Sequence, residues 1–224
     1  MLRKVSKKIV NKTINKNTTP LVISSMGRSG STTLFKSMSE SCIRFFKNGI
    51  RKKMSHLIRK RMWSIRQKNL ESGLLYKTHD YPPNVNKCNV CRYIYTYADP
   101  FDVVASIYRK YKNSGREWFQ NHSQKLKRPQ ANVGNLFFED VLGLENHFDA
   151  WASADHLNIL LIRYDKLWQK SDVISEFAGF SVELPKKRDR KSSLSGMDKE
   201  KENRLKKTYR RLRKKVMSKK MIKP

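Results

Sequence analysis

The sequence predicts an α/β fold, in which one central parallel sheet is flanked by helices in a single domain. Short apolar runs typical of buried strands recur along the chain, and amphipathic helical patterns separate them. The 224 residues suit one compact domain, and the apolar share of 38% suffices for one core with polar extensions.

The first predicted unit is a strand, a loop of small residues and a helix. Residues 20–26 are largely apolar and predict a short buried strand. Residues 27–32 follow as Gly-Arg-Ser-Gly-Ser-Thr. Apolar side chains then recur at helical spacing, at Phe35, Met38, Cys42 and Phe45.

Three more strands are predicted, over residues 73–78, 92–97 and 157–163. The segment behind the second one must be a loop, because Pro82 and Pro83 end regular structure. Behind the third, Asp99 is typical of a helix N-cap and Pro100 of a first helical residue.

Further helices are predicted from apolar stripes and strong helix formers. They cover residues 44–68, 139–154, 171–179 and 198–220, together with a helix that starts at Pro100. Residues 113–135 are polar and allow no assignment.

The net charge of +30 is concentrated in three segments. Residues 1–20 carry +6, residues 44–68 carry +10 and residues 186–224 carry +14, so the rest of the chain balances to zero. Such an excess attracts polyanions: nucleic acid, anionic lipid, or sulfated and phosphorylated ligands. We therefore expect a basic flexible arm over 1–18, an α/β domain over 19–185 and a basic, partly helical tail over 186–224.

The sequence favours a cytoplasmic protein. No apolar run approaches the roughly 18 residues of a membrane span. The basic N-terminus is not followed by the apolar segment of a signal peptide, and three cysteines do not form a disulfide framework.

The loop behind the first strand predicts an anion site. Its small residues let backbone N–H groups converge, and the following helix N-terminus adds partial positive charge. Arg28 supplies a bidentate donor. The loop lacks the Gly-Lys-Ser/Thr of a Walker A motif, which disfavours a nucleotide-hydrolysing enzyme or a kinase. A plain turn rich in Gly and Ser is the alternative.

Two other strand ends carry candidate ligand groups. Lys77 and His79 close the second predicted strand, where ligands of parallel sheets bind, and they could act as electrophile and general base. Ser106 and Arg109 lie on the helix behind the third strand. Taken singly, each could be an ordinary solvated or capping residue.

Together these pieces resemble the sulfotransferases that use 3′-phosphoadenosine-5′-phosphosulfate (PAPS). The resemblance is carried by Arg-Ser-Gly-Ser-Thr, Lys-Thr-His and Asp-Pro-x-Asp-Val-x-x-Ser, each behind a strand and in this order. The segment from His147 through Trp151 to Ile159–Leu167 supports it, as does Phe177–Phe180. It covers roughly residues 19–182 and implies a P-loop-like sulfotransferase architecture.

The resemblance also implies roles for these residues. His79 would be the general base, Lys77 would neutralise charge on the sulfuryl group, and Arg28 would stabilise the leaving phosphate. The 5′-phosphosulfate would be bound by Arg28, Ser29, Gly30, Ser31, Thr32 and Thr33, and the 3′-phosphate by Ser106. The implied acceptor is a small molecule or a glycan, and an anionic one would be steered in by the basic segments. No metal is implied.

Three departures from the family pattern are visible. Ala98 stands where the family has an arginine for the 3′-phosphate, and Arg92, Arg109 or a basic tail residue could replace it. Thr33 stands where many members place a tryptophan on the adenine. The late Arg-Lys-Gly motif is only echoed by residues 190–192.

Two other interpretations stay open at this point. The runner-up is a non-catalytic basic protein on a decayed transferase fold, which would bind nucleic acid or another polyanion. Cys88 and Cys91 have a Cys-x-x-Cys spacing, but a zinc site would need four ligands and a redox motif would open a helix. Two buried or turn cysteines are the simpler interpretation.

Overall fold

A computed structural model describes residues 19–43, 55–65, 70–84, 91–187, 194 and 197–219. Across them the chain forms a single α/β domain with a five-stranded sheet flanked by helices, which confirms the predicted fold class. The strands are β1 Leu21–Ser25, β2 Arg59–Arg61, β3 Leu75–Lys77, β4 Arg92–Tyr97 and β5 Asn158–Arg163. The helices are α1 Ser31–Ser41, α2 Pro100–Lys125, α3 Leu144–Ala152, α4 Ser171–Ala178 and α5 Lys199–Ser218.

The strand order β2-β3-β1-β4-β5 places the first strand in the centre, and all four pairings are parallel. From β1 the chain builds β2 and β3 on one side, then crosses to build β4 and β5 on the other. In open parallel sheets ligands bind beyond the carboxyl ends of the strands where the order reverses. Here that point is the carboxyl end of β1.

The predicted helix over residues 44–68 is wrong across its described part. Residues 55–65 contain turns and the short edge strand β2, whose Arg59 pairs in register with Leu75 of β3. Ile58 and Ile65 are buried as the stripe predicted, but strand pairing outweighs helix propensity for so short a segment. The charged side chains of β2 suit a sheet edge, where they discourage pairing with other chains.

Helix α2 explains why residues 113–135 could not be assigned. Gly115 interrupts it with φ 75° and ψ −175°, and the helix then resumes in a new direction up to Lys125. Its start is as predicted: the Asp99 carboxylate accepts a hydrogen bond of 3.0 Å from the Phe101 N–H, and Pro100 is the first helical residue.

An aromatic layer supports one side of the sheet. Tyr95 of β4 stacks on Trp151 of α3 at 5.4 Å between ring centroids, and both side chains are fully buried. The predicted tail helix also packs on the domain as α5. Its stripe is buried at Leu205, Tyr209, Leu212 and Val216, and the Tyr209 hydroxyl donates to the carbonyl of Leu136 at 3.0 Å.

Candidate functional site

A cleft of about 660 Å³ opens at the carboxyl ends of the central strands. It brings together the three sequence motifs, which lie up to 78 positions apart in the chain. Its walls come from the loop behind β1, the end of β3 and both halves of α2. The lining residues are Arg28, Gly30, Ser31, Thr32, Thr33, Lys77, His79, Asp102, Ser106, Arg109, Trp118, His122 and Tyr164.

The loop behind β1 turns through three left-handed residues. Gly27, Arg28 and Gly30 have φ values of 82°, 48° and 83°. At Gly30 a Cβ atom would lie 2.2 Å from Cδ2 of Tyr164, so only glycine fits between the loop and that ring. Gly30 is the N-cap of α1. Because glycine has no side chain, Gly30 makes no side-chain hydrogen bond to the first backbone N–H groups of the helix. The turn therefore leaves the helix N-terminus open to an anion.

Arg28 links the β1 loop to helix α2. Its Nε donates to the Ser106 hydroxyl at 3.1 Å, across the cleft from one motif to the other. Ser106 is buried, whereas Arg28 is exposed to the cleft. A guanidinium held in this way has its N–H groups in a fixed plane, a geometry that suits phosphate or sulfate oxygens.

Lys77 lies beside the first turn of α1. Its Nζ donates to the Thr32 hydroxyl at 2.9 Å. Burial and, to a smaller extent, the charges of Arg61, Lys125 and Arg28 together lower the pKa of Lys77 to about 8. The ammonium group is therefore part of a concentrated positive field that a bound anion would relieve.

His79 lies in the loop behind β3, partly buried against the end of β1. Its Nδ1 is 3.0 Å from both the carbonyl and the hydroxyl oxygen of Ser25. The carbonyl can only accept, and the Ser25 hydroxyl donates to the Ser31 hydroxyl at 2.9 Å, so we assign the proton to Nδ1 and the lone pair to Nε2. Burial, together with the charge of Lys77, lowers the pKa of His79 well below its usual value. The imidazole is thus neutral at physiological pH, as a general base must be.

Supporting hydrogen bonds fix the backbone of the His79 loop. The Nε2 of His147 lies 3.0 Å from the His79 carbonyl oxygen, and its Nδ1 lies 3.0 Å from the Tyr95 hydroxyl. The Trp151 indole donates to the Asp80 carbonyl at 3.0 Å. His147 and Trp151, which the family resemblance singled out, therefore hold the loop rather than line the cleft.

The predicted loop residues divide into two groups. Ser31, Thr32 and Thr33 line the cleft. Ser29 instead donates its hydroxyl to the Thr96 carbonyl of β4 at 2.8 Å and is fully buried, so its side chain anchors the loop to the sheet. A ligand role for Ser29 stays a prediction.

Four cleft residues were missed in the sequence: Asp102, Trp118, His122 and Tyr164. Trp118 and His122 stack at 5.0 Å between ring centroids and form one wall, and Tyr164 covers Gly30. Burial lowers the pKa of His122 to about 3, and its buried Nε2 has no hydrogen-bond partner among the described residues. The signal was the four-residue spacing of Trp118 and His122, which is recognisable only once Gly115 is seen as a break within one helix.

The structure distinguishes Arg109 from Arg92 as replacements for the arginine that the family has at the position of Ala98. Arg109 lines the cleft, as does the Asp102 that precedes it on α2. Arg92 lies at the opposite end of β4, where it donates to Thr19 and to the Phe177 carbonyl, so it cannot serve the cleft. Residues 190–192 lie outside the described residues.

The Cys-x-x-Cys segment is described only in part. Cys91 directly precedes β4 and is disulfide-bonded, whereas Cys88 lies outside the described residues. Cys42 is a free thiol, and burial raises its pKa to about 11. Among the described residues no group of three or more His, Cys, Asp or Glu could hold a metal ion. None of the helices in that part of the chain combines the length and the apolar character that crossing a bilayer requires.

Comparison with known proteins gives a limited result. No family model matches the chain, and no curated protein matches it. Among solved structures, it is similar to retinol dehydratase in complex with androsterone and inactive cofactor PAP. That similarity has 15% identity and a TM-score of 0.38 over 91% of this chain and 68% of the other. A complex of retinol dehydratase with retinol and PAP gives 15% identity and a TM-score of 0.37, over 86% and 68%. The functional assignment therefore depends on the residues of the cleft.

Proposed function

We propose that this protein is a sulfotransferase that transfers a sulfuryl group from PAPS to a hydroxyl or amine of an acceptor. The observation that carries the proposal is the convergence of Arg28, Lys77, His79 and Ser106 in one cleft at the carboxyl end of β1. Their order in the sequence resembles the order of the sulfotransferase motifs. In the structure the four residues line the same cleft, so they can act on one bound donor and its acceptor.

The cleft fits a nucleotide that carries phosphates at two positions. Its volume lies within the usual range of ligand sites. The open N-terminus of α1, Thr32 and Lys77 are suited to one anionic group, while Ser106 and Arg109 are suited to another. Tyr164, which packs over Gly30, offers an aromatic face for the base.

The donor supplies an activated sulfuryl group, and no other reactant than the acceptor is needed. A bond forms between sulfur and the acceptor oxygen or nitrogen, and the bond from sulfur to the 5′-phosphate oxygen breaks. His79 Nε2 takes the acceptor proton. Lys77 and Arg28 donate to oxygens that gain negative charge as the phosphate leaves with the bonding electrons.

The first experiment measures labelled-sulfate transfer from PAPS to a panel of phenols, sugars, polysaccharides and peptides. In parallel, the melting temperature is measured with adenosine 3′,5′-bisphosphate, the expected product. We expect transfer to at least one acceptor class and a rise in melting temperature, because the product binds the folded state. No thermal shift at millimolar nucleotide would contradict a donor site.

A second candidate is favoured by the net charge of +30, most of which a single nucleotide does not require. In this alternative the fold binds nucleic acid or another polyanion without catalysis. It predicts affinity that falls steeply with salt, no nucleotide-dependent thermal shift and no transfer. The same two measurements thus separate the candidates.

A further inference from the structure

One edge of the cleft carries a surface that donor binding leaves unused. We call it the basic rim and define it as Arg61, Trp63, Lys125 and Lys127. Its residues come from the end of β2 and from the end of α2, and all four are exposed. The rim adjoins Lys77, because Arg61 pairs with Lys77 in the sheet and the charges of Arg61 and Lys125 both act on it.

The basic rim is continuous with the proposed catalytic groups. Arg61 of β2 pairs in register with Lys77 of β3, so both side chains lie on the same face of the sheet. The Met62 N–H donates to the Lys77 carbonyl at 2.9 Å, which fixes this register. Arg61 and Lys125 both lower the pKa of Lys77, as charges close to it must.

Contacts within the basic rim hold a tryptophan open to solvent. The Trp63 side chain is 55% exposed, which is unusual for its size. The Lys125 ammonium group lies 5.5 Å from its ring centroid, and Lys127 Nζ donates to the Trp63 carbonyl at 3.2 Å. The rim thus presents an indole face beside two ammonium groups.

Among the described residues the charges of the basic rim are only weakly compensated. Within that part of the chain the carboxylate in ion-pair contact with the rim is that of Asp80, 3.8 Å from Lys127 Nζ. Asp80 is buried, and its oxygens accept hydrogen bonds from the N–H groups of Ile65 and Tyr81. A ligand with its own negative charges would therefore gain attraction at the rim with little competition.

We propose that the acceptor is an acidic polysaccharide, whose charged groups bind the basic rim while one of its hydroxyls lies at His79. For the reaction, this inference rests on the proposed sulfotransferase function. For binding, it can be tested alone.

An acidic polysaccharide combines the three features that the surface recognises. It repeats negative charges, it presents unmodified hydroxyls between them, and the C–H face of a pyranose ring packs on an exposed indole such as Trp63. DNA would satisfy the charges but has no free hydroxyl within its chain. RNA carries one 2′-hydroxyl per nucleotide but no pyranose ring, so its competition is measured below. An acidic peptide carries its hydroxyls only at occasional side chains.

The test measures binding of chondroitin, which is unsulfated and carries one carboxylate per disaccharide, to the full-length protein. Carboxyl-reduced chondroitin of equal length is the neutral comparison. The rim variant Arg61→Gln, Lys125→Gln, Lys127→Gln should weaken chondroitin binding about tenfold or more. Each exposed charge contact contributes modestly, but the variant removes three of them together. Trp63→Ala should weaken it as well, and the reduced polymer should not bind measurably.

A matched control removes three charges elsewhere. Lys207, Arg210 and Lys214 are exposed on the face of α5 opposite its buried stripe, and we call them the outer stripe. The variant Lys207→Gln, Arg210→Gln, Lys214→Gln should leave chondroitin affinity nearly unchanged. Equal losses in both triple variants would overturn the inference, as would equal binding of the neutral polymer or stronger competition by an acidic tyrosine peptide or single-stranded RNA.

The nucleotide readout keeps the two proposals distinguishable. If adenosine 3′,5′-bisphosphate stabilises the protein but chondroitin does not bind, the acceptor inference fails and the sulfotransferase proposal stands. If chondroitin binds through the basic rim and the nucleotide has no effect, the polysaccharide surface stands and the sulfotransferase proposal fails. With both functions intact, the rim variant should raise KM for chondroitin more than it changes kcat.

Discussion

Lys77 in the cleft and Lys215 on α5 are the same residue type, and the protein moves their pKa values in opposite directions. Burial lowers the pKa of Lys77 to about 8, with the charges of Arg61, Lys125 and Arg28 acting in the same sense. Hydrogen bonds to Asp149 at 2.7 Å and to Glu145 at 2.8 Å raise the pKa of Lys215.

The difference separates two uses of positive charge. On α5 many cations pair with carboxylates of the same helix or of the domain: Arg204 with Glu200, Lys206 with Glu202, Arg211 with Glu145, and Arg213 with Asp99. In the cleft the cations crowd one another, which costs stability and prepares the site for an anion. A total of +30 cannot distinguish these uses, and only the neighbours of each residue do.

The largest expected effect is on the rate of sulfuryl transfer when His79, the proposed general base, is replaced. His79→Asn removes the proton acceptor, so kcat for sulfuryl transfer should fall about 10²- to 10⁴-fold. The thermal shift with adenosine 3′,5′-bisphosphate should be nearly unchanged, since the proposed donor contacts remain. A fully active His79→Asn protein would remove His79 from the role of base. His156→Asn, at a histidine that contacts the Pro83 carbonyl outside the cleft lining, is the matched control and should retain activity.

Replacing Lys77 tests whether its charged form destabilises the folded protein while contributing to catalysis. Lys77→Met should lower kcat roughly 10²-fold, because a cation that stabilises transferred charge is lost. The free energy of unfolding below about pH 8 should nevertheless stay equal or rise. The pKa of Lys77 is lower folded than unfolded, so its charged form costs stability at those pH values. Chemical denaturation at pH 7 measures this, and a marked loss of stability would contradict the electrostatic account.

The pH dependence of kcat/KM tests whether the neighbouring charges lower the pKa of Lys77. Lys77 carries its charge below its pKa of about 8, so activity should decline as pH rises through that value. Arg61→Gln removes one repelling charge and should move this alkaline limb to higher pH. Arg210→Gln, on the outer stripe, should leave the limb in place. An unmoved limb in Arg61→Gln would show that another group sets it.

The smallest expected effect lies on α5. Lys215→Met should lower the free energy of unfolding at pH 7 by about 1 kcal/mol or less, because partly exposed ion pairs contribute little. Its pKa is higher folded than unfolded, so this contribution is complete below the unfolded pKa of lysine and is lost as pH rises through the folded value. Denaturant titration at pH 7 checks the magnitude. A loss of several kcal/mol would contradict the view that the ion pairs of Lys215 with Glu145 and Asp149 are ordinary surface contacts.

Much of the fold could be predicted because its strands are apolar and short. The predicted segments 20–26, 73–78, 92–97 and 157–163 contain β1, β3, β4 and β5. Strand β2 could not be found in the same way. It consists of Arg, Lys and Arg at a sheet edge, and only its backbone pairing with β3 makes it a strand.

The candidate site divides along the same line. Lys77 ends a strand, and Arg28, His79 and Ser106 lie in the segments that follow strands, so their residue types and positions predicted them. Trp118 and His122 did not follow a strand, and the break at Gly115 concealed the helix that carries them. Ser29 has the right composition for a ligand, but its side chain hydrogen-bonds to β4 instead.

The sequence by itself determined the alternation of strands and helices, the loop of small residues behind β1 and the chemistry available at three strand ends. These depend on local composition and spacing, which need no distant contact. The tertiary structure decided that the three ends share one cleft, that Lys77 is crowded by cations while Lys215 is paired, and that β2 and α2 together form the basic rim. Electrostatic environment is set by neighbours in space, and here those neighbours come from segments far apart in the chain.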